Sequence, residues 1–219
     1  MPLDPEESFH PVVHLPASYT VLDLRQSERY SGDETKKGGG SDQYTIGRYN
    51  EPRPTLYSHG LFTTSTSSPR YIHMGIDIGA PVLTPVYSFD SGTLIAQGAL
   101  PSKGDYGHSM VIEYIWTREQ PLKALTKTIS RGQSYWALYG HLSAESITRY
   151  EVGAPVERGE QVGAIGAAYE NGGWPPHLHF QLSTVRPVHH DLPGAVSDGE
   201  HQRALDLYPD PRQVLGRLY

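Results

Sequence analysis

A chain of 219 residues with a formal net charge of -6 at pH 7 accommodates one domain with an extension, or at most two small domains, and is long enough to bury a core. The acidic balance and the lack of a Lys/Arg cluster leave no basic footprint for nucleic acid, and no apolar run reaches the length of a membrane span. With no cysteine present, neither a disulfide framework nor a closed zinc site built on thiolates can form.

Residues 1–43 read as an N-terminal extension. Its first seven residues are acidic and Pro-rich, without the basic and apolar regions of a secretory signal, so a soluble cytoplasmic chain is expected. A strand-like piece, Tyr19 to Leu24, precedes the tract Lys36-Lys37-Gly38-Gly39-Gly40-Ser41-Asp42, the strongest loop signal in the chain. His10 and His14 have no pairing partner in the pattern and read as surface or packing residues.

A second region, 44–185, opens at Thr45-Ile46-Gly47-Arg48. Arg53 within it could hold a substrate carboxylate or an internal acid, or simply pair locally. The Ser/Thr-rich stretch from Ser58 to Arg70 reads as a wall of a groove, with His59 unassigned. Next comes Ile72-His73-Met74-Gly75-Ile76-Asp77-Ile78-Gly79-Ala80-Pro81. His73 and Asp77 could share a helix face, but Gly75, Gly79 and Pro81 argue for an extended segment, on which the two still share a face.

From Val82 onward the pattern is that of strands: 82–89, 92–96, 109–115 and 134–139 are β-rich runs punctuated by glycine, proline and aspartate. A longer charged insertion, 116–131, is expected to reshape the cleft rim. The only helices expected are Ala144 to Tyr150 and Pro211 to Leu218, the latter in a C-terminal tail, 186–219. Gly79-Ala80-Pro81-Val82 recurs as Gly153-Ala154-Pro155-Val156, which points to related β-units.

The segment Pro175-Pro176-His177-Leu178-His179-Phe180-Gln181-Leu182 closes this region. Its alternation reads as a strand with both imidazoles on one face and Leu178, Phe180 and Leu182 in a core. With His73 and Asp77, His179 completes two nitrogens and one oxygen, the ligand set of a catalytic zinc site that keeps one position for water. His189-His190-Asp191, beyond this strand and without partners, reads as a solvated turn.

The His73/Asp77 motif ahead of Gly-Ala-Pro-Val, then Tyr139-Gly140-His141-Leu142-Ser143, then His177-Leu178-His179, resembles the lysostaphin-type zinc metallopeptidases, the bacterial cell-wall endopeptidases. The resemblance runs from about Tyr44 to Leu182. It implies His73, Asp77 and His179 as metal ligands, His177 as general base and His141 as second catalytic histidine. The fold it implies is all-β, a twisted antiparallel sheet in a half-open barrel-sandwich hybrid with an active-site groove. The implied substrate is a glycyl or D-alanyl peptide, or a peptidoglycan-derived fragment. Tyr114 stands where the family commonly ends a strand in histidine, a position that is not a ligand. The lead-in Asn171 to Pro176, with Val21 to Leu24 upstream, looks most like cytosolic versions of this domain fused to kinase-like and aminotransferase domains, for which the fold does not imply the physiological substrate. The acidic N-terminus and overall charge point to small peptides or cytosolic turnover products and not intact wall. The alternative is a non-catalytic module that binds peptide or a partner protein through the same groove.

Overall fold

The computed structural model describes residues 9–25, 43–57, 62, 68–117 and 130–219. The polar tract 36–42, His59 with most of its Ser/Thr-rich stretch, and residues 118–129 of the insertion lie outside them.

Thirteen strands are present among the described residues, and eight form one sheet. In chain order these eight are β1 (Thr20–Val21), β2 (Thr45–Gly47), β5 (Ile76–Gly79), β7 (Gly92–Leu100), β8 (Gly107–Ile115), β9 (Ser134–Leu142), β10 (Pro155–Val156) and β12 (His177–Ser183), arranged β1-β2-β5-β12-β9-β8-β7-β10. Every neighbouring pair is antiparallel except β1 and β2, which run parallel. The expected antiparallel sheet is therefore mixed. The long connection between β1 and β2 removes the hairpin constraint that would force them antiparallel.

Two smaller sheets complete the structure: β6 (Pro85–Tyr87) with β11 (Gln161–Ala164), and β3 (Glu51–Pro52) with β4 (Ile72–His73) and β13 (Ala195–Val196). The strands that follow the two Gly-Ala-Pro-Val copies, β6 and β11, pair with each other. No barrel closes among the described strands.

Alternation in the long strands divides the sheet. One face sends Ile76, Ile78, Met110, Ile112, Tyr139, Leu178, Phe180 and Leu182 into a single apolar cluster, which Val86 and Val162 of the two-stranded sheet also enter. Two of the tyrosines in this interior pair their hydroxyls: Tyr114 Oη lies 2.8 Å from Ser88 Oγ and 2.7 Å from Tyr139 Oη. Val12 and Val13 of the N-terminal segment and Val214 and Leu218 of the C-terminal segment join the same cluster.

The helices differ from expectation. Residues Ala144–Thr148 form a 3₁₀ turn, and the C-terminal element shrinks to α2, Arg212–Leu215. Ahead of it lies a ten-residue helix that was not expected, α1, Asp198–Leu207. It begins at Ser197, whose backbone N–H donates to the carboxylate of Glu200 three residues on. The expectation that the insertion reshapes the cleft rim falls on residues outside those described. Trp116 is fully buried, and the stem of the 116–131 segment sits beyond the Ile115–Ser134 pair, at the opposite end of the β8–β9 hairpin from His141.

Candidate metal and catalytic site

β12 lies between β5 and β9 in the middle of the sheet, in a register that sets His179 directly opposite Asp77 on one side and Gly140 on the other. Cross-strand neighbours on one face meet, so His179 Nδ1 lies 3.0 Å from Asp77 Oδ1. His73 arrives from another sheet. It ends β4, and the chain breaks at Met74-Gly75 before β5 begins. A shared strand face does not bring His73 and Asp77 together, as the spacing had implied; a kink does. At that kink a Cβ on Gly75 would sit 2.5 Å from His179 Cε1 and Nε2, so only glycine lets the β4–β5 link pass against the imidazole.

His73 Nε2 lies 3.1 Å from both His179 Nδ1 and Asp77 Oδ1. His177 Nε2 is 3.9 Å from the same carboxylate oxygen, and the His141 and His177 rings pack against each other at 40° with centroids 4.2 Å apart. All five residues anticipated from the motifs thus meet at one place. His141 reaches it by an unusual route. By alternation with Tyr139 it would face the core, but its φ of 62° turns it into the groove.

The far nitrogen of each ring is held by an acceptor. His73 Nδ1 donates to Arg48 O at 2.8 Å, His141 Nδ1 to Asn171 O at 2.8 Å and His177 Nδ1 to Pro175 O at 2.7 Å. His179 Nε2 donates to Gln181 Oε1 at 2.9 Å, and the Gln181 amide nitrogen in turn reaches Pro193 O. A carbonyl can only accept, so each outer nitrogen carries the proton and each inner one a lone pair. Three acceptor atoms, His73 Nε2, His179 Nδ1 and Asp77 Oδ1, therefore converge at 3.0–3.1 Å, a repulsive arrangement unless a cation is shared among them. Bonds of ~2.0–2.1 Å in a tetrahedron place ligand atoms about 3.3 Å apart, so the set fits a zinc-sized ion.

Charge points the same way. Arg53 is buried and donates to Asp77 Oδ2 at 2.6 Å and to Glu51 Oε2 at 2.9 Å. Of the roles open to it, the one it takes is to hold internal acids. Two carboxylates face one guanidinium, leaving one negative charge for a cation to balance. Burial works to raise the carboxyl of Asp77, but His73 and Arg53 outweigh it and hold the group well below the usual carboxylate range. Burial, with help from Arg53, brings His73 down to about 4, and burial also lowers His141 and His177, so these imidazoles are neutral near pH 7.

The site opens into a groove of about 180 Å³. Arg53, Asp77, His141, His177 and His179 line one part of it, and Leu22, Leu24, Leu56, Tyr57 and Trp174 another. Tyr114 is on the core face, remote from the groove. His189 and Asp191 are exposed, and Asp191 lies at the groove margin. Four residues that the motifs did not flag complete the surroundings: Glu51, Gln181, Asn171 and Tyr106, whose ring packs 5.1 Å from His179 and 5.4 Å from His141. Gln181 extends the alternation of the two histidines and was open to detection as a partner for a ligand imidazole. The others come from separate segments and carry no spacing signal.

Residues 71–191 match peptidase family M23, a span that contains all five residues and more than half of the chain. The chain is 30% identical over 126 residues to the DD-carboxypeptidase/endopeptidase Mpg of Neisseria meningitidis serogroup B, covering 56% of this chain and 23% of that protein. It is also 30% identical over 117 residues to the peptidoglycan DD-endopeptidase ShyA of Vibrio cholerae, covering 53% of this chain and 21% of that one. The match thus spans less than a quarter of the length of these curated relatives. The catalytic domain of lysostaphin from Staphylococcus simulans aligns over 67% of this chain and 81% of its own, at 19% identity and a TM-score of 0.39. No helix among the described residues is long and apolar enough to cross a membrane.

Proposed function

This chain belongs to peptidase family M23, and from that premise we propose that it is a zinc-dependent endopeptidase in which His73, Asp77 and His179 hold the metal. The observation that carries the reading is the inward convergence of two imidazole lone pairs and one carboxylate oxygen, each aimed by a partner on its far side. Zinc bound there supplies Lewis acidity that lowers the pKa of a water toward ~7 and polarises a scissile carbonyl.

The remaining work falls to His177 and His141. Both present Nε2 as an acceptor, because Nδ1 of each is committed to a carbonyl. His177, two residues from a ligand on the same strand face, takes the proton of the attacking water and passes it to the leaving amine. His141, packed against His177, donates toward the developing oxyanion only once it holds a proton, so the two rings act as a pair that shares one. Arg53 is turned inward to Asp77, which leaves substrate binding to the groove walls.

The substrate we propose is a short peptide with glycine or D-alanine at the scissile bond, in peptidoglycan-derived fragments. The names of the two curated relatives support peptidoglycan-derived peptides as this class. The test is zinc analysis of the purified protein joined to hydrolysis of a panel of glycyl and D-alanyl peptides and muropeptides. Cleavage that a chelator abolishes and zinc restores is expected. A protein that takes up zinc and cleaves none of the panel is instead a binding module.

A further inference from the structure

We propose that Glu51 and Arg53 are positioning residues that confine Asp77 to metal binding through one oxygen, a step beyond the proposed function that rests on its reading of Asp77 as a ligand. A carboxylate beside a zinc ion can bind through one oxygen or two, and the second oxygen would occupy the position that water needs. In this site Asp77 Oδ2 is already taken. Arg53 Nη1 donates to it at 2.6 Å, while Oδ1 is left facing His73 and His179.

The guanidinium that does this is itself fixed on every side. Its Nε donates to Glu51 Oε2 at 2.9 Å, and its Nη2 donates to Arg48 O at 3.2 Å. That same carbonyl accepts from His73 Nδ1, so one planar group touches one ligand and the anchor of a second. The other oxygen of Glu51 accepts the backbone N–H of Leu24 at 3.1 Å, which ties the acid to the N-terminal segment. Room for the arrangement comes from Gly47, where a Cβ would stand 2.8 Å from Arg53 Nη2 and 3.1 Å from Asp77 Oδ2. Arg53 and Glu51 are 1% and 3% exposed, so no solvent competes for these bonds. Leu24, Glu51 and Arg53 all lie before the matched span 71–191, which contains the ligands. The constraint on Asp77 is thus supplied from outside the segment that supplies Asp77.

Glu51→Gln keeps the shape of the side chain but turns an acceptor for Arg53 Nε into a weaker or mismatched one, and Arg53→Lys keeps the charge but loses the fork. Zinc affinity is measured by competition with a chromogenic chelator, well below the thermal midpoint of each variant, and the affinity of Glu51→Gln should fall about 10- to 100-fold. A purely structural role would lower the thermal midpoint and leave that affinity unchanged, and unchanged affinity overturns the proposal. Should the variants not fold, a structure of the zinc-loaded wild type decides: Asp77 bound through Oδ1 alone with Arg53 on Oδ2 is expected, and two-oxygen binding refutes it. A wild type that binds zinc but cleaves no peptide removes the peptidase reading and leaves this one standing. A wild type that takes up no zinc overturns both.

Discussion

Gly75→Ala adds one methyl group where β4 passes into β5, and its effect can be worked out from contacts. The new Cβ would lie 2.5 Å from His179 Cε1 and Nε2 and 2.9 Å from Phe180 O. The carbonyl belongs to the central strand of the sheet and cannot yield, so the imidazole must retreat by roughly 0.9 Å to restore ordinary contact. Its Nε2 is held at 2.9 Å by Gln181 and its Nδ1 is the ligand atom, and metal–ligand distances tolerate only about ±0.2 Å. Zinc affinity should therefore fall at least ~10-fold, or about 1.4 kcal/mol. Overpacking costs the metal-free fold about 1–3 kcal/mol, offset in part by the ~0.4–1 kcal/mol that replacing glycine removes from unfolded-chain entropy. Chelator competition reads the first quantity and denaturant midpoints of the metal-free protein read the second. Wild-type zinc affinity in Gly75→Ala would refute the reasoning, since it would mean that the ring is not seated against this link.

The two histidines of β12 should separate: His179→Ala loses zinc and activity together, whereas His177→Ala keeps its zinc and loses about 10²–10⁴-fold in rate, and the opposite pattern of zinc contents would reverse the assignment. Without metal, stability should fall with acid. His73 is brought down to about 4 from 6.5, chiefly by burial, so the unfolded chain takes up the proton first and stability is lost as pH drops from 6.5 toward 4, by about 3 kcal/mol from this group. His141 and His177, also lowered by burial, act in the same direction, while the depressed Asp77 is stabilising above 3.8 and loses that contribution below it. Urea midpoints that stay level from pH 7 to 4.5 would contradict this. Asn171→Ala removes a buried amide that accepts from the Gly173 and Trp174 N–H groups and donates to Gly166 O and Trp174 O, so thermal melts should show a loss of about 2–4 kcal/mol.

The face of β12 was legible because a strand repeats every two residues, and Leu178, Phe180 and Leu182 mark the buried side without help from any partner. The ligand chemistry of His73, Asp77 and His179 was legible for a related reason: few residue types bind zinc, and no cysteine competes. What alternation could not show is where a strand breaks its own rule. His141 follows Tyr139 by two residues yet faces the other way, because one positive φ reverses it, and nothing in a histidine advertises that. The division of His73 and Asp77 between two sheets was hidden by the same glycine that ruled out a helix. Helix α1 was missed although Ser197 and Glu200 stand at capping-box spacing, since only Ala204 of its residues is buried and an apolar stripe is lacking. Glu51 reaches the site through its strand register with His73, and Tyr106 and Asn171 through their carbonyls, which accept from the His141 N–H and Nδ1, contacts between residues far apart in the chain.

The anchoring of the imidazoles has a hereditary side. Three of the four outer nitrogens rest on peptide oxygens, those of residues 48, 171 and 175, and only His179 depends on a side chain, Gln181. Every amino acid offers the same peptide oxygen, so the orientation of His73 and His177 survives a change of residue type at Arg48 or Pro175. Gain or loss of a single residue between Asn171 and His177 would displace two of these oxygens at once. Descendants of this sequence are thus free to vary the residue type at Arg48 and Pro175, but not how many residues lie between Asn171 and His177.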